Sequence, residues 1–422
     1  MLRAASFARY LPNDGIRLDV LTTRNASAVG TDYSLLNQIP SEVAIHRTVT
    51  LDLPFGVRKW IRKLIGGGKS LEGESHAAHQ GSKPNLLRRA MQEMLMPDPQ
   101  VTWIPLAARA ARRIVRSRNI DLVLMTVPPY SCLLLVEKLR QEFPHLPIVV
   151  DVRDEWLTTT IDLVGLGRSE RSLRVARRIE ADAITYATAI VAVTEAARRE
   201  MRARYPQQSD GKFHLIPNGF DATRLSGSIP SPESRPDGKI VITYIGTIYA
   251  ATEPTTLVQA LLSLPPEIKS RFSLRFIGHI EEARFRESLL QLGNMVELRG
   301  FLPQQEALAT MDQTDYVLLI SHDPLNVGGK FYDYVGGGKP ILATVHPKGE
   351  TRRLIDELRA GWCADSRDVE GIRRLFIDAA NRSNRLASEF QPDIANIAQY
   401  EREHLAHRYA DLLHSIAQCN RN

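Results

Sequence analysis

The sequence predicts an α/β protein of two parallel-sheet halves, and three observations predict it. Short apolar runs alternate with helical stretches in two separate series along the chain. A segment dense in Ser, Pro and Gly, from Ser226-Gly227-Ser228 through Pro236-Asp237-Gly238, divides the two series. Most runs give way to a polar or glycine-bearing loop, the pattern that gathers ligand-binding loops at the carboxyl edge of a doubly wound sheet.

Taken in order, Arg3, Phe7, Tyr10 and Leu11 suit a short amphipathic helix, which leads through Pro12-Asn13-Asp14-Gly15 into a strand over Ile16 to Leu21. The same acid-free, arginine-bearing start also suits an organellar transit peptide. Further strands are expected at Leu122 to Thr126, Ile148 to Val152, Ala189 to Val193 and Phe213 to Ile216. Their loops are Val127-Pro128-Pro129-Tyr130, Arg153-Asp154-Glu155-Trp156, Thr194-Glu195 and Pro217-Asn218-Gly219-Phe220-Asp221. After the Ser/Pro/Gly segment, strands are expected at Ile240 to Ile245, Leu274 to Ile277, Val296 to Leu298, Tyr316 to Ile320 and Pro340 to Thr344. These open into Gly246-Thr247, Gly278-His279, Arg299-Gly300-Phe301 and Ser321-His322-Asp323. Two sheets with a cleft between them is the expected architecture.

Composition bounds the function. The 422 residues are 43% hydrophobic and 24% charged, which suits folded domains and excludes a disordered or fibrous chain. Runs such as Cys132 to Val136 fall far short of the ~20 apolar residues of a membrane-spanning helix. Three cysteines without CxxC spacing (Cys132, Cys363, Cys419) argue against a disulfide framework or a zinc site and for a reducing compartment, with cytosol the default. The net charge of +6 is unevenly spread. Val57 to Ile65 sets Trp60, Ile61, Leu64 and Ile65 on one helical face and cations on the other. That is the form either of an interfacial helix on anionic headgroups or of a surface helix docked on its own domain. Arg109 to Arg118 reads as the solvated side of a helix. Basic segments without interleaved aromatics do not suit a nucleic-acid binder.

The densest chemistry lies in Val327-Gly328-Gly329-Lys330-Phe331-Tyr332-Asp333-Tyr334, followed by Gly336-Gly337-Gly338-Lys339-Pro340. Glycines 328 and 329 let backbone amides approach an anion at a helix start, Lys330 adds a formal charge, and Asp333, about one turn on, can accept from a ribose diol. A plain glycine-rich helix end is the other reading of the same residues. His279 and His322 follow strands of the second half and could contact a sugar or base. Tyr130 and Trp156 could stack on a sugar or pack in the core. Asn218 and Gly219 shape a turn.

With both halves read, the chain resembles the retaining, group-one glycosyltransferases of GT-B fold, of the family-four type that builds bacterial glycans. Ile216-Pro217-Asn218-Gly219-Phe220-Asp221, Tyr244-Ile245-Gly246-Thr247, Phe276-Ile277-Gly278, Leu298-Arg299-Gly300 and the Lys330 to Ala343 stretch match its motifs in order. The resemblance implies two Rossmann-like parallel-sheet domains facing a cleft. Residues 1–225 would form an acceptor-side domain, 226–239 a linker and 240–395 a nucleotide-sugar donor domain, with 396–422 a helical segment packing back on the first domain. It implies transfer of a sugar, with retention, from a nucleoside diphosphate sugar to a saccharide or lipid-linked acceptor; the expected location is the cytoplasm, with the Trp60 helix the candidate for peripheral contact with an anionic membrane at its inner face. Gly246, Thr247, Gly278, His279, His322, Gly328, Gly329, Lys330 and Asp333 would bind the donor. Asp154 would orient the acceptor, unless it is a helix cap or pairs with Arg153, and Arg153 would assist at the phosphates.

Helix-start amides with Lys330 would take the leaving-group charge, so neither a metal nor another cofactor is expected. In two places the chain departs from the family pattern. The usual first strand and glycine-rich loop are missing ahead of Met1, which leaves neighbouring strand edges unpaired and favours an incomplete N terminus over a defective site. The usual donor-site glutamate pair is reduced to Asp333, because Leu325 stands eight residues before it. A nucleotide-sugar epimerase, or a protein of this fold that binds without turnover, are the alternatives.

Overall fold

The computed structural model describes residues 2–25, 35–50, 96–158, 169–222, 238–382 and 390–419. The Trp60 segment lies outside them, as does most of the Ser/Pro/Gly segment. The described residues divide into two compact units, the first running to Pro217 and resuming at Leu405, the second spanning Asn218–His404.

In the first unit, helix α1 (Leu2–Tyr10) precedes β1 (Asp19–Thr23) and β2 (Ala44–Thr48). Then come α2 (Ile104–Arg118), β3 (Val123–Val127), α3 (Leu134–Glu142), β4 (Ile148–Val152), α4 (Glu170–Tyr186), β5 (Ala189–Ala192), α5 (Glu195–Arg204) and β6 (Phe213–Leu215). All pairings are parallel, as helical crossovers require. Among the described residues the strands form two sheets, β1-β2 and β3-β4-β5-β6. Leu21 of β1 nonetheless packs into the core that holds Met125 and Val127 of β3. β4 and β5 are buried almost throughout, and their valine, isoleucine and alanine runs show the continuous apolar pattern of strands covered on both faces.

One of those faces is closed by both ends of the chain. Phe7, Tyr10 and Leu11 form one core with Val149, Val191 and Ile216, and with Leu405, Tyr409 and Leu413 of the C-terminal helix Arg402–Cys419. A polar knot sits inside it. Arg3 donates to both oxygens of buried Asp151 at 2.8 to 3.1 Å and to the carbonyls of Ile216 and Pro217, while Tyr409 and Thr126 each donate to the same carboxylate at 3.2 Å. The charge of Arg3 and these hydroxyl donors make burial of Asp151 tolerable.

The second unit is one six-stranded parallel sheet in the order β12-β11-β10-β7-β8-β9. Its strands are β7 (Ile240–Ile245), β8 (Phe272–Ile277), β9 (Val296–Gly300), β10 (Tyr316–Ser321), β11 (Ile341–Val345) and β12 (Gly361–Asp365). The order changes direction beside β7, so the loops after β7 and β10 diverge at a topological switch point, where open α/β sheets bind ligands. Helices cover both faces, among them α6 (Thr255–Leu262), α7 (Pro266–Lys269), α8 (Ala283–Leu290), α9 (Gln304–Ala309), α10 (Gly329–Gly336) and α11 (Glu350–Glu357). α12 (Val369–Arg382) and α13 (Ile394–Ala398) complete the set.

The expected strands are present within a few residues of their predicted bounds. β2 and β12 were not anticipated; Ala44-Ile45-His46-Arg47-Thr48 and Gly361-Trp362-Cys363-Ala364-Asp365 lack a sustained apolar run, because these outer strands are only half-buried. Among the described residues no helix is long and apolar enough to cross a membrane.

Candidate functional site

In the second unit the loops after β7 and β8 are locked backbone to backbone. Gly246 and Gly278 follow their strands with φ of 136° and 137°, a region glycine favours. A Cβ on Gly278 would stand 2.1 Å from the carbonyl oxygen of Gly246, so only glycine fits there. The Gly246 amide donates to Ile277 O at 2.8 Å, and Ile248 donates to His279 O at 2.8 Å. Thr247 and His279 are thus brought side by side, both exposed.

Helix α10 begins beside β10. Asp323 builds the turn ahead of it: one carboxylate oxygen accepts from the amides of Leu325 and Asn326 at 2.8 and 3.0 Å, and the other from the Asn326 side chain at 3.0 Å. The exposed Gly328 caps the helix and Gly329, also exposed, opens it, while the amide of buried Phe331 already donates to Gly328 O at 3.0 Å. Gly338, with φ 64°, ends it, and its amide returns to Val335 O at 3.1 Å.

Lys330 folds from that first turn over the end of β7. Its Nζ lies 3.8 Å from the centroid of the Tyr244 ring and donates to the Tyr244 hydroxyl at 2.5 Å, which itself donates to Thr247 O at 2.8 Å. The amine stands 3.4 Å from where a Gly246 Cβ would be. Burial pushes the Lys330 amine down to about 7. Tyr334, on the same helix, accepts from Ile245 N at 2.9 Å, so α10 is tied to β7 at two points. Lys330, Gly246, Gly328 and Gly329 therefore share one locus, with Thr247, Gly278 and His279 on the adjoining loops.

Two predicted residues have additional partners. Asp333 lies 3.9 Å from the Arg402 guanidinium, which also donates to Gly219 O at 3.0 Å. The His322 ring stands 3.0 Å from Glu253 O and its amide donates to Ala251 O, so this histidine braces the loop after β7. Tyr244, Asp323 and Arg402 were not anticipated as site residues. The Asp-x-x-Asn spacing before the glycines is a turn signal that would have found Asp323, whereas nothing local ties Tyr244 to a lysine 86 positions away.

In the first unit, Arg153 and Asp154 follow β4. The Arg153 guanidinium donates to the carbonyls of Val127 and Pro128, and Asp154 is exposed, its own carbonyl accepting from the Tyr130 hydroxyl at 3.1 Å. Tyr130 and Trp156 are buried and stack on each other at 4.7 Å with planes 4° apart, which makes them a packed support for the turn. Among the described residues no three His, Cys, Asp or Glu side chains converge as metal ligands do.

Comparison with known proteins follows this geometry. Residues 71–224 match the family model for Glycosyltransferase Family 4. No curated protein matches the chain by sequence. Sucrose-phosphate synthase from Thermosynechococcus elongatus superposes with a TM-score of 0.67 at 14% identity, covering 99% of this chain and 93% of that one. HepE from Anabaena, solved with UDP and glucose, gives 0.64 at 17% identity, covering 98% and 95%. WaaG, a glycosyltransferase involved in lipopolysaccharide biosynthesis, gives 0.58 at 13%, covering 97% and 95%. At these identities the likeness is one of fold, and the fold is GT-B. Residues 71–224 are thus similar to Glycosyltransferase Family 4, and the fold that holds them is the one shared by these GT-B glycosyltransferases.

Proposed function

We propose that this glycosyltransferase transfers a hexosyl group, with retention, from a nucleoside diphosphate sugar to a saccharide or lipid-linked acceptor. The observation that carries the reading is Lys330: an amine held on the face of Tyr244, beside the exposed Gly328-Gly329 start of α10 and the glycine turn after β7. A diphosphate at that point would receive amide donors, the positive end of a helix and a lysine whose charge an anion restores. As the glycosidic bond breaks, negative charge grows on the departing phosphate, and fixed donors that meet it there lower the barrier without reorganising. On this reading no cofactor is needed. HepE, of the same fold, was solved with UDP-glucose, which supports a UDP-hexose as the first donor to test.

Asp333 is assigned to the ribose hydroxyls, with Arg402 steadying it. On the acceptor side Asp154 is assigned to orient the attacking hydroxyl, and Arg153, bonded to two carbonyls of the preceding loop, to hold the turn from which Asp154 projects. The three cysteines are free thiols, which suits a cytoplasmic site of action.

The test is a thermal shift with UDP-glucose and a panel of other nucleoside diphosphate sugars across pH 6 to 9, on wild type and Lys330→Met. Because the diphosphate of such a donor does not titrate near neutrality, pH dependence reports the protein. Wild type binds most tightly below about pH 7, where Lys330 is charged, and affinity falls by up to about tenfold per pH unit above it. Lys330→Met binds roughly 10- to 100-fold more weakly, with no pH dependence in this range. Equal binding by the two proteins would remove Lys330 from the site, and silence towards every donor would sink the donor reading.

A further inference from the structure

Behind the turn that carries Asp154 lies a buried charge network that the assignments above do not use. Glu155 is buried, and its two oxygens accept from the amides of Leu157 at 3.2 Å and Thr158 at 2.8 Å. Arg204, at the end of α5, reaches it from behind. One terminal nitrogen lies 2.7 Å from Glu155 Oε1 and 2.7 Å from Glu180 Oε1 on α4, and the other donates to the Thr158 hydroxyl at 2.8 Å and to Glu200 at 3.4 Å. Tyr205 donates to Glu180 at 2.8 Å. One guanidinium thus serves two buried carboxylates and a third at the rim.

Stability alone is a poor reason for such a cluster, because apolar packing of equal volume stabilises as well or better. What the cluster does have is a direction. Its hydrogen bonds end on the backbone of residues 157 and 158, while Tyr130 fixes the carbonyl of Asp154 at the other end of the same turn. Trp156, stacked on Tyr130, lies between the two clamps.

We propose that Arg204 is a positioning residue for the acceptor-side turn: through Glu155 and Thr158 it fixes the backbone that presents Asp154. The proposal rests on the assignment of Asp154 made above. A planar fork held on both nitrogens restrains rotation as well as distance, which a point charge cannot do. Misplacement of an orienting carboxylate by about 1 Å is enough to cost roughly 100-fold in rate.

The test must separate positioning from stability, because Arg204→Gln takes the guanidinium away from two buried carboxylates and will lower the melting temperature. The double variant Arg204→Gln/Glu180→Gln removes one of the two stranded charges without restoring the fork. Hydrogen exchange of the 153–158 peptide, melting temperature and UDP release from UDP-glucose are read in these variants, in Arg204→Lys, in Asp154→Asn and in Arg204→Gln/Asp154→Asn. The double variant with Glu180→Gln should regain melting temperature over Arg204→Gln, yet its Leu157 and Thr158 amides should still exchange at least about tenfold faster than wild type. UDP release should stay on the order of 100-fold down, and adding Asp154→Asn to Arg204→Gln should cost nothing more. Arg204→Lys should recover part of the protection.

Wild-type exchange at Leu157 and Thr158 in the double variant, or turnover that recovers together with melting temperature, would overturn the proposal. So would losses that multiply between Arg204→Gln and Asp154→Asn. If Arg204→Gln does not fold, Arg204→Lys is judged by the same exchange criterion. Turnover unchanged in Asp154→Asn, beside faster exchange in the Arg204 variants, would retire the role of Asp154 and leave Arg204 clamping a turn with another use.

Discussion

At the scale of single residues, Glu180 shows how a burial decision becomes a pH dependence. Burial, reinforced by Glu155, pushes its carboxyl above the usual range, against the opposing pull of Arg204 and the Tyr205 hydroxyl. The folded protein therefore keeps a proton that the unfolded chain releases, and stability falls as pH rises from the unfolded carboxylate value through the folded one. Glu180→Gln keeps an oxygen to accept from Arg204 and Tyr205 but has no proton to lose. Its melting temperature should gain on wild type across that window and hold the gain above it, by scanning calorimetry from pH 4 to 9; parallel curves would mean Glu180 does not titrate there. None of this was legible in the sequence, because Glu180 and Arg204 lie on different helices, 24 positions apart, in patterns that read as solvated faces. Lys330 stood out because the chemistry flanking it, two glycines before and an acid one turn after, is local.

At the scale of elements, the loops after β7 and β8 are set by sterics. Gly278→Ala must drive a Cβ into the Gly246 carbonyl 2.1 Å away, and backbone cannot swing aside as a side chain can. The expected loss is at least about 2 kcal/mol, seen as a fall in melting temperature on the order of 5 °C, together with loss of stabilisation by UDP-glucose. Gly338→Ala is the contrast: nothing lies within 4 Å of its Cβ, so only the left-handed backbone, about 1 kcal/mol, opposes it. Equal effects would show that contact at Gly278 is not what matters. The buried strands could be read from their valine and isoleucine runs, since covering both faces leaves no polar alternation to confuse the period. β2 and β12 could not, because strands at a margin owe their place to a neighbour's free edge more than to their own residues.

At the scale of the whole molecule, the first unit depends on residues at the far end of the chain. Removing residues 405–422 would strip Leu405, Tyr409 and Leu413 from the core shared with Phe7, Leu11 and Val149, and would take a hydroxyl donor from Asp151. Three such side chains contribute roughly 5–9 kcal/mol, as much as an entire domain commonly holds in reserve. Calorimetry of a chain ending at His404 should show the second unit's transition, still raised by UDP-glucose, and no cooperative transition for the first; two intact transitions would mean that the terminal helix is dispensable. Strands β7 to β11 were open to inference from their apolar runs, but no spacing announces that Tyr409 and Arg3 meet on one carboxylate. That knot reverses the usual order of birth on the ribosome. The sheet of the first unit is made early, yet one face is covered only in part, by Phe7, Tyr10 and Leu11, while the whole second unit is translated, a delay of roughly 10 to 40 s at common elongation rates. The later-made unit can be complete before the earlier one closes, and until then the nascent chain offers Val149, Val191 and Ile216 to any holdase that waits for apolar surface.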